Sequence, residues 1–194
     1  FQQKDTHTTS FDLVLKDYWV LNNYNHIYTS VGTSFSFEDF KAQEVQQLSN
    51  GTINDFSENG FGNDIDHRFN DSFLGLEYKF LTGIFTVKSG LFYHRYNWDN
   101  DQGNVAVHNS TQVLLPAFNA EVEFNNSEKL RFQYRQRLRF PNIGQLAASF
   151  MLRSFNSVQL GNPELQNERF HSYSLNYFKF SLFRGLNLNA GLTY

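Results

Sequence analysis

Between Leu130 and Phe140 the chain reads Leu-Arg-Phe-Gln-Tyr-Arg-Gln-Arg-Leu-Arg-Phe, with apolar and polar residues in alternation. One side of this stretch carries Leu130, Phe132, Tyr134, Leu138 and Phe140, with Gln136 as the polar exception, and the other carries Arg131, Gln133, Arg135, Arg137 and Arg139. A period of two residues is that of a β-strand. A shift of one residue would move four arginines into the apolar row, so the register is strongly fixed.

The same alternation recurs along the whole chain. It predicts eight strands, at about 9–20, 27–37, 72–80, 84–96, 113–124, 130–140, 169–179 and 186–194. Four connections between them are short (21–26, 81–83, 125–129 and 180–185), and three are long and polar (38–71, 97–112 and 141–168). Alternating strands with alternately short and long connections are typical of a membrane β-barrel, whose outside is apolar and whose lumen is polar. The predicted fold class is therefore all-β, an antiparallel transmembrane β-barrel segment.

Composition narrows the function classes. The chain has 194 residues with 22 Phe and 10 Tyr, a net charge of −3 and no Cys. Without Cys there are no disulfides and no Cys-based metal sites. The balanced charge does not favour a nucleic-acid partner. No His pair has zinc spacing, and no nucleophile elbow or phosphate loop is present. We therefore expect no catalytic site, no metal site and no cofactor.

The strands before and after 125–129 allow a register prediction. Closing a hairpin there pairs Phe124 with Leu130 and Val122 with Phe132, so that apolar residues face each other across the two strands. Pro116 removes a donor from the ladder, and we expect it above the apolar band or at a bulge.

The connections also predict how the strands are oriented. If the short turns are periplasmic, both chain ends lie on the outer side, whereas self-contained bacterial barrels ordinarily begin and end in the periplasm. Residues 1–194 are therefore expected to be a single segment of a larger barrel.

Two motifs near the long third connection carry a family resemblance. The first is Arg139-Phe-Pro141-Asn-Ile-Gly-Gln-Leu146, and the second is Gly161-Asn162-Pro163-Glu-Leu-Gln-Asn-Glu168. This pair resembles the C-terminal barrel half of TonB-dependent receptors of the Bacteroidota type, although Asn167 stands where that family often has Pro. The Leu76–Phe80 stretch and the strand start at Asn25 are similar to that family as well.

The resemblance implies an outer-membrane receptor for energy-coupled nutrient uptake in a Gram-negative cell. Such receptors have a barrel of about 22 strands plugged by an N-terminal domain and driven by the inner-membrane TonB complex. The partners implied are outer-membrane lipid, the plug domain, the TonB complex, a surface-exposed substrate-binding lipoprotein, and a nutrient such as a siderophore, an oligosaccharide or a peptide.

Three sets of residues are candidates for function. Charges facing lipid near the membrane centre cost roughly 2–4 kcal/mol each, so the charged row is expected to face the lumen, against plug or substrate. A loop-turn motif is expected where Gly and Asn tolerate positive φ and Pro fixes φ. Loop aromatics are candidates for ligand contact, with packing within the loop as the alternative. The lumen-facing set is Arg131, Arg135, Arg137, Arg139, Glu121 and Glu123; the turn set is Pro141, Gly161, Asn162, Pro163 and Glu168; the aromatic set is Phe56, Phe61, Phe69 and Trp98.

Two other function classes remain open from the sequence. One is a structural or adhesion barrel without transport, including a closed eight-stranded barrel whose interior would be filled by side chains. The other is a soluble β-sandwich or sugar-binding domain, which would purify without detergent.

Overall fold

The structure is a computed structural model that describes residues 2–103, 105–154, 156–181, 183 and 185–194, without the side chain of residue 58. Eight long strands form one antiparallel sheet in which neighbours in sequence are neighbours in space. In chain order the strands are β1 (Gln2–Asn22), β2 (Asn25–Gln47), β3 (Ile53–Asp55), β4 (Asn63–Thr82), β5 (Phe85–Gln102), β6 (Val105–Asn125), β7 (Glu128–Arg139), β8 (Met151–Ser154), β9 (Ser157–Gln159), β10 (Glu168–Ser181) and β11 (Leu186–Thr193).

The predicted all-β, antiparallel fold is confirmed, and each predicted strand overlaps a long strand of the sheet. Three short strands were not predicted: β3 pairs with β2, and β8 and β9 form a small hairpin. Two helical turns complete the described elements, a 3-10 turn at Ser57–Asn59 and α1 at Ile143–Leu146. No helix in the described residues has the length and apolar character needed to cross a membrane.

The short connections at 21–26, 81–83 and 125–129 are confirmed as tight turns. In the first of them the side chain of Asn22 accepts hydrogen bonds from the amides of Tyr24 (2.9 Å) and Asn25 (3.0 Å). In the second, Gly83 has a φ of 52°. The predicted turn at 180–185 includes residues 182 and 184, which lie outside the described residues; β10 ends at Ser181 and β11 begins at Leu186.

The prediction of a long loop at 97–112 is wrong. Strands β5 and β6 continue through this region, with pairs such as Asp99 with His108, up to a turn at Gly103, whose φ is 56°. The predicted long loop at 38–71 shortens for the same reason, to 48–62, whereas the third long connection keeps its length and lies at 140–167 instead of 141–168. These extensions carry polar residues on both faces, so they lack the alternation that reveals a strand, while the backbone ladder still holds them together.

The predicted pairing of β6 with β7 is also wrong, by two residues. Leu130 lies opposite Val122 and Phe132 lies opposite Ala120, with a register irregularity between Glu123 and Asn125. Because the error is an even number of residues, every side chain keeps the face that was predicted for it. The sequence of the turn did not reveal that irregularity.

The two faces of the sheet differ in character. The side of β7 that carries Arg131 and Arg135 defines the polar face, and the opposite side defines the apolar face. Leu74 and Leu76, on the apolar face, are 60% and 55% exposed, so no described element covers them. Other large apolar residues exposed on this face are Leu13, Leu15, Val31, Leu91, Leu175, Leu188 and Leu192. An apolar surface of this extent needs a partner such as lipid.

Candidate functional site

The charged row of β7 lies on the polar face with the two predicted glutamates. Arg131 sits opposite Glu121 in the ladder, and its Nε donates to the Glu121 carboxylate at 2.5 Å. Glu123 lies opposite Lys129 rather than opposite an arginine. The guanidinium of Arg139 lies 5.2 Å from the ring centre of Phe170, a cation–π distance. Arg135 and Arg137 have no ion pair or hydrogen bond with any described residue.

Two further polar pairs link β4 and β5 across the polar face. Lys88 lies 2.8 Å from the Glu77 carboxylate and 4.3 Å from the ring centre of Tyr28. His94 lies 2.8 Å from the carboxylate of Asp71 on the neighbouring strand. Lys88 and Glu77 are opposite charges on facing strands, which supports the register. In the arginine row of β7, Arg135 and Arg137 remain without such a partner among the described residues.

Two of the predicted loop aromatics are strand residues. Phe69 lies in β4 and Trp98 lies opposite it in β5, both on the polar face. Phe140, which the sequence pattern assigned to the apolar row, packs against them, with ring centres 4.8 Å from Phe69 and 5.4 Å from Trp98. Tyr96 joins the same cluster, 4.8 Å from Phe140. Alternation missed this contact because β7 ends at Arg139 and the chain then turns onto the polar face.

Phe56 and Phe61 do lie outside the long strands, as predicted. Their ring centres are 6.4 Å apart, and Phe61 also contacts Phe150 at 5.8 Å. They therefore join the 48–62 connection to the 140–167 connection. Nearby, the hydroxyl and amide of Ser57 donate to Asp55 (2.6 and 2.9 Å), and these bonds hold the pKa of that carboxyl below its ordinary value.

The connection at 140–167 folds back over the polar face, and we name residues 140–162 the inner segment. It begins with α1, where the Asn142 side chain accepts from the Gln145 amide (3.0 Å) and the Gln145 side chain accepts from the Asn142 amide (3.0 Å). This reciprocal pair is a capping box, which fixes the first turn of a helix. The buried residues that join the inner segment to β2 and β4 are Phe40, Ala42, Ile65, Ile143, Ala147 and Met151.

Side-chain amides of the strands hold the backbone of the inner segment. Gln102 donates to the Leu146 carbonyl (2.6 Å) and accepts from the Ala148 amide (2.7 Å). Asn63 accepts from the Ser149 amide at 3.0 Å. Each bond satisfies a backbone group in a segment that has little regular structure of its own. The inner segment is therefore a packed part of the fold at the end of the sheet where the connections are longest.

Gly161 and Asn162 do not have the positive φ that the sequence predicted. A Cβ on Gly161 would stand 2.5 Å from the Gln145 carbonyl oxygen and 2.7 Å from that of Ala147. Glycine is required here by the close approach of two backbone stretches. The Gly-Asn-Pro element still forms a turn, because the Asn162 side chain accepts from the Glu164 amide (3.0 Å) and its carbonyl accepts from the Leu165 amide (3.1 Å). The predicted role of Asn162 and Pro163 in turn structure agrees with this geometry, whereas the predicted backbone conformation is wrong.

The start of the first sequence motif, at Arg139, and the end of the second, at Glu168, lie beside each other. Glu168, the first residue of β10, is the ladder partner of Arg139. Pro141 follows the end of β7, and a small cavity of about 180 Å³ separates these residues from Gln145 and Leu165. No cluster of three His, Asp or Glu side chains suited to a metal occurs within the ranges that the structure describes.

Comparisons with known proteins agree with this architecture. Residues 4–194 match the model of the outer membrane protein beta-barrel family. No curated protein matches the sequence. Solved structures that resemble the chain include the alcaligin outer membrane receptor FauA from Bordetella pertussis (TM-score 0.61, 11% identity), the siderophore receptor PiuA from Acinetobacter baumannii (0.61, 11%) and the copper transporter OprC (0.63, 15%).

Each of these alignments covers 99% of this chain, which spans only 29%, 32% and 30% of the three solved proteins. At such low identity the likeness shows a common fold, that of part of a large receptor barrel. The family match covers nearly the whole chain and agrees with the apolar outer surface of the sheet. The protein is thus a member of the outer membrane protein beta-barrel family and belongs in the outer membrane.

Proposed function

We propose that this chain is the wall and outer-surface part of a receptor that takes up a nutrient across the outer membrane with energy from the TonB complex. The observation that carries the proposal is the two-faced sheet, with one exposed apolar face and one polar face that bears the arginine row and the inner segment. The likeness to two siderophore receptors and a copper transporter supports it at the level of architecture.

The residues on the polar face fit the inside of such a receptor. The unpaired guanidiniums of Arg135 and Arg137 would contact the carboxylates of a plug domain or an anionic nutrient. The aromatic cluster around Phe140 would contact the apolar part of a siderophore, the sugar rings of an oligosaccharide or the side chains of a peptide. The plug domain, the TonB complex and a surface-exposed substrate-binding lipoprotein are the protein partners in this proposal, which assigns no enzymatic step to the chain. The motif resemblance supports the Bacteroidota type of receptor.

The alternative in the same membrane is a structural or adhesion barrel without transport. The closed eight-stranded version of it is disfavoured, because β1 and β11 lie at opposite edges of the sheet in the residues that the structure describes. A soluble β-sandwich would hide its apolar face against a second sheet, and no described element covers that face here.

Transport is tested by deleting the gene for the full-length protein and measuring uptake of an iron-55-labelled ferric siderophore, a labelled oligosaccharide and a labelled oligopeptide. The proposal predicts loss of uptake of one of these, and the same loss when the gene for TonB is deleted instead. Unchanged uptake of all three, together with increased sensitivity of the cells to detergent, would support the structural barrel and contradict the receptor.

A further inference from the structure

The pairing of β6 with β7 ends early and leaves an opening in the sheet. The ladder runs from the turn to the pair Ala117 with Arg135 and goes no further, although β6 stays paired with β5 and β7 stays paired with β10 beyond that point. Pro116 is the next residue of β6, and it has no amide hydrogen to donate. The two strands diverge there, and a cavity of about 350 Å³ lies between them.

One wall of this cavity is aromatic. Phe92, His94 and Tyr96 of β5 line it, and the rings of His94 and Tyr96 are stacked with centres 5.2 Å apart and planes only 9° apart. Asp71 holds His94 from the neighbouring strand, so the orientation of that ring is fixed. Leu115 and Leu138 complete the apolar lining. This wall suits a flat, apolar group.

The other wall carries the side chains of Arg135 and Arg137, which stand two residues apart on the polar face of β7. Within the described part of the chain, neither guanidinium has an acceptor. In contrast, Arg131 of the same row bonds Glu121. Gln136, between them in the chain, belongs to the opposite face of the strand. Two guanidiniums on one face that lack an acceptor attract an anion.

We propose that this cavity binds a small organic anion with a planar apolar body. In this arrangement the carboxylate lies between Arg135 and Arg137, and the ring packs beside His94 and Tyr96. The volume falls within the range of small-molecule sites, roughly 300–1,000 Å³. The site is a property of the barrel wall, and it does not require the bound anion to be the transported nutrient.

Binding is tested with the full-length protein purified in detergent, by titration calorimetry with benzoate, benzamide and inorganic phosphate. Benzoate combines the charge with the ring, benzamide has the ring alone and phosphate has the charge alone. We expect benzoate to bind at least tenfold more tightly than either of the others. Equal binding of benzamide would mean apolar partition only, and equal binding of phosphate would mean a plain anion site; either result overturns the proposal.

The residues are tested with the double variant R135Q/R137Q. Each lost charge-assisted hydrogen bond weakens binding by roughly tenfold, so benzoate binding should fall below detection. Arg153→Gln in β8, an exposed arginine away from the cavity, is the matched control and should bind benzoate like the wild type. Unchanged binding by a double variant with wild-type strand content in circular dichroism would contradict the site. Benzoate binding and nutrient uptake are measured independently, so a negative result in one assay does not contradict the proposal that the other assay tests.

Discussion

Leu76→Arg tests whether the apolar face lies against hydrocarbon. Leu76 is on the apolar face of β4, opposite Thr29 and Leu91, and 55% of it is exposed. It stands four residues from Phe80, near the turn. At about 3.4 Å per residue and a strand tilt of about 40°, it lies roughly 10 Å above that ring, near the middle of an apolar band about 25 Å tall.

An arginine at this depth costs about 2–4 kcal/mol of unfolding free energy, which lowers the folding equilibrium constant roughly 30-fold to 1,000-fold. The assay is denaturant unfolding of the full-length protein in phosphatidylcholine vesicles, followed by tryptophan fluorescence. Gln133→Arg is the matched control, since it introduces the same charge on the polar face of β7, opposite Asn119 and Ser174. We expect the control to change the free energy by less than about 0.5 kcal/mol, as for a surface substitution. Equal destabilisation by the two variants would refute the assignment of the faces.

Three further predictions concern single contacts. Gly161→Ala should expose the inner segment to limited proteolysis, because the added Cβ collides with backbone. The matched control is Gly144→Ala, whose Cβ meets nothing within 3.5 Å and which should leave cleavage unchanged. Equal cleavage of the two variants would contradict the close approach of the backbone at Gly161. The Arg131 side chain is 45% exposed, so its ion pair with Glu121 should contribute a coupling free energy of less than about 1 kcal/mol in a double-mutant cycle. A larger coupling free energy would contradict a solvent-screened pair. Burial lowers the pKa of His67, against the opposing effect of Asp99, so the folded state resists its protonation. Stability should therefore be constant above the ordinary histidine pKa of about 6.5 and decline as the pH falls below it, less so in His67→Gln; the reverse trend in unfolding titrations would contradict this.

The sequence predicted most of the sheet because alternation is a local signal. Each strand that meets the apolar band, such as β7 up to Arg135, shows its two faces in its own residues. The alternation stops where both faces carry polar residues, which is why the strand pairing from Asp99 to His108 was missed. Alternation also cannot detect a register error of two residues, since Leu130 stays on the same face whether it pairs with Phe124 or with Val122.

The candidate site was less predictable because it depends on contacts between distant parts of the chain. The sequence grouped Phe140 with the apolar row, but its partners lie in β4 and β5. The requirement for glycine at position 161 comes from a backbone stretch about 15 residues earlier, which no local pattern reveals. Pro116 was the one local signal of the opening between β6 and β7, since a missing donor marks where a ladder fails.

A cysteine scan along β7 measures the environment of each side chain directly. The chain contains no cysteine of its own, so each introduced cysteine from position 130 to 135 carries one nitroxide label in this segment. In lipid vesicles, labels at 130, 132 and 134 should collide with oxygen dissolved in the bilayer, and labels at 131, 133 and 135 with a water-soluble nickel chelate. A period of two with this phase is the predicted result, and an inverted phase or uniform contact with the nickel chelate would contradict a sheet whose apolar face meets lipid.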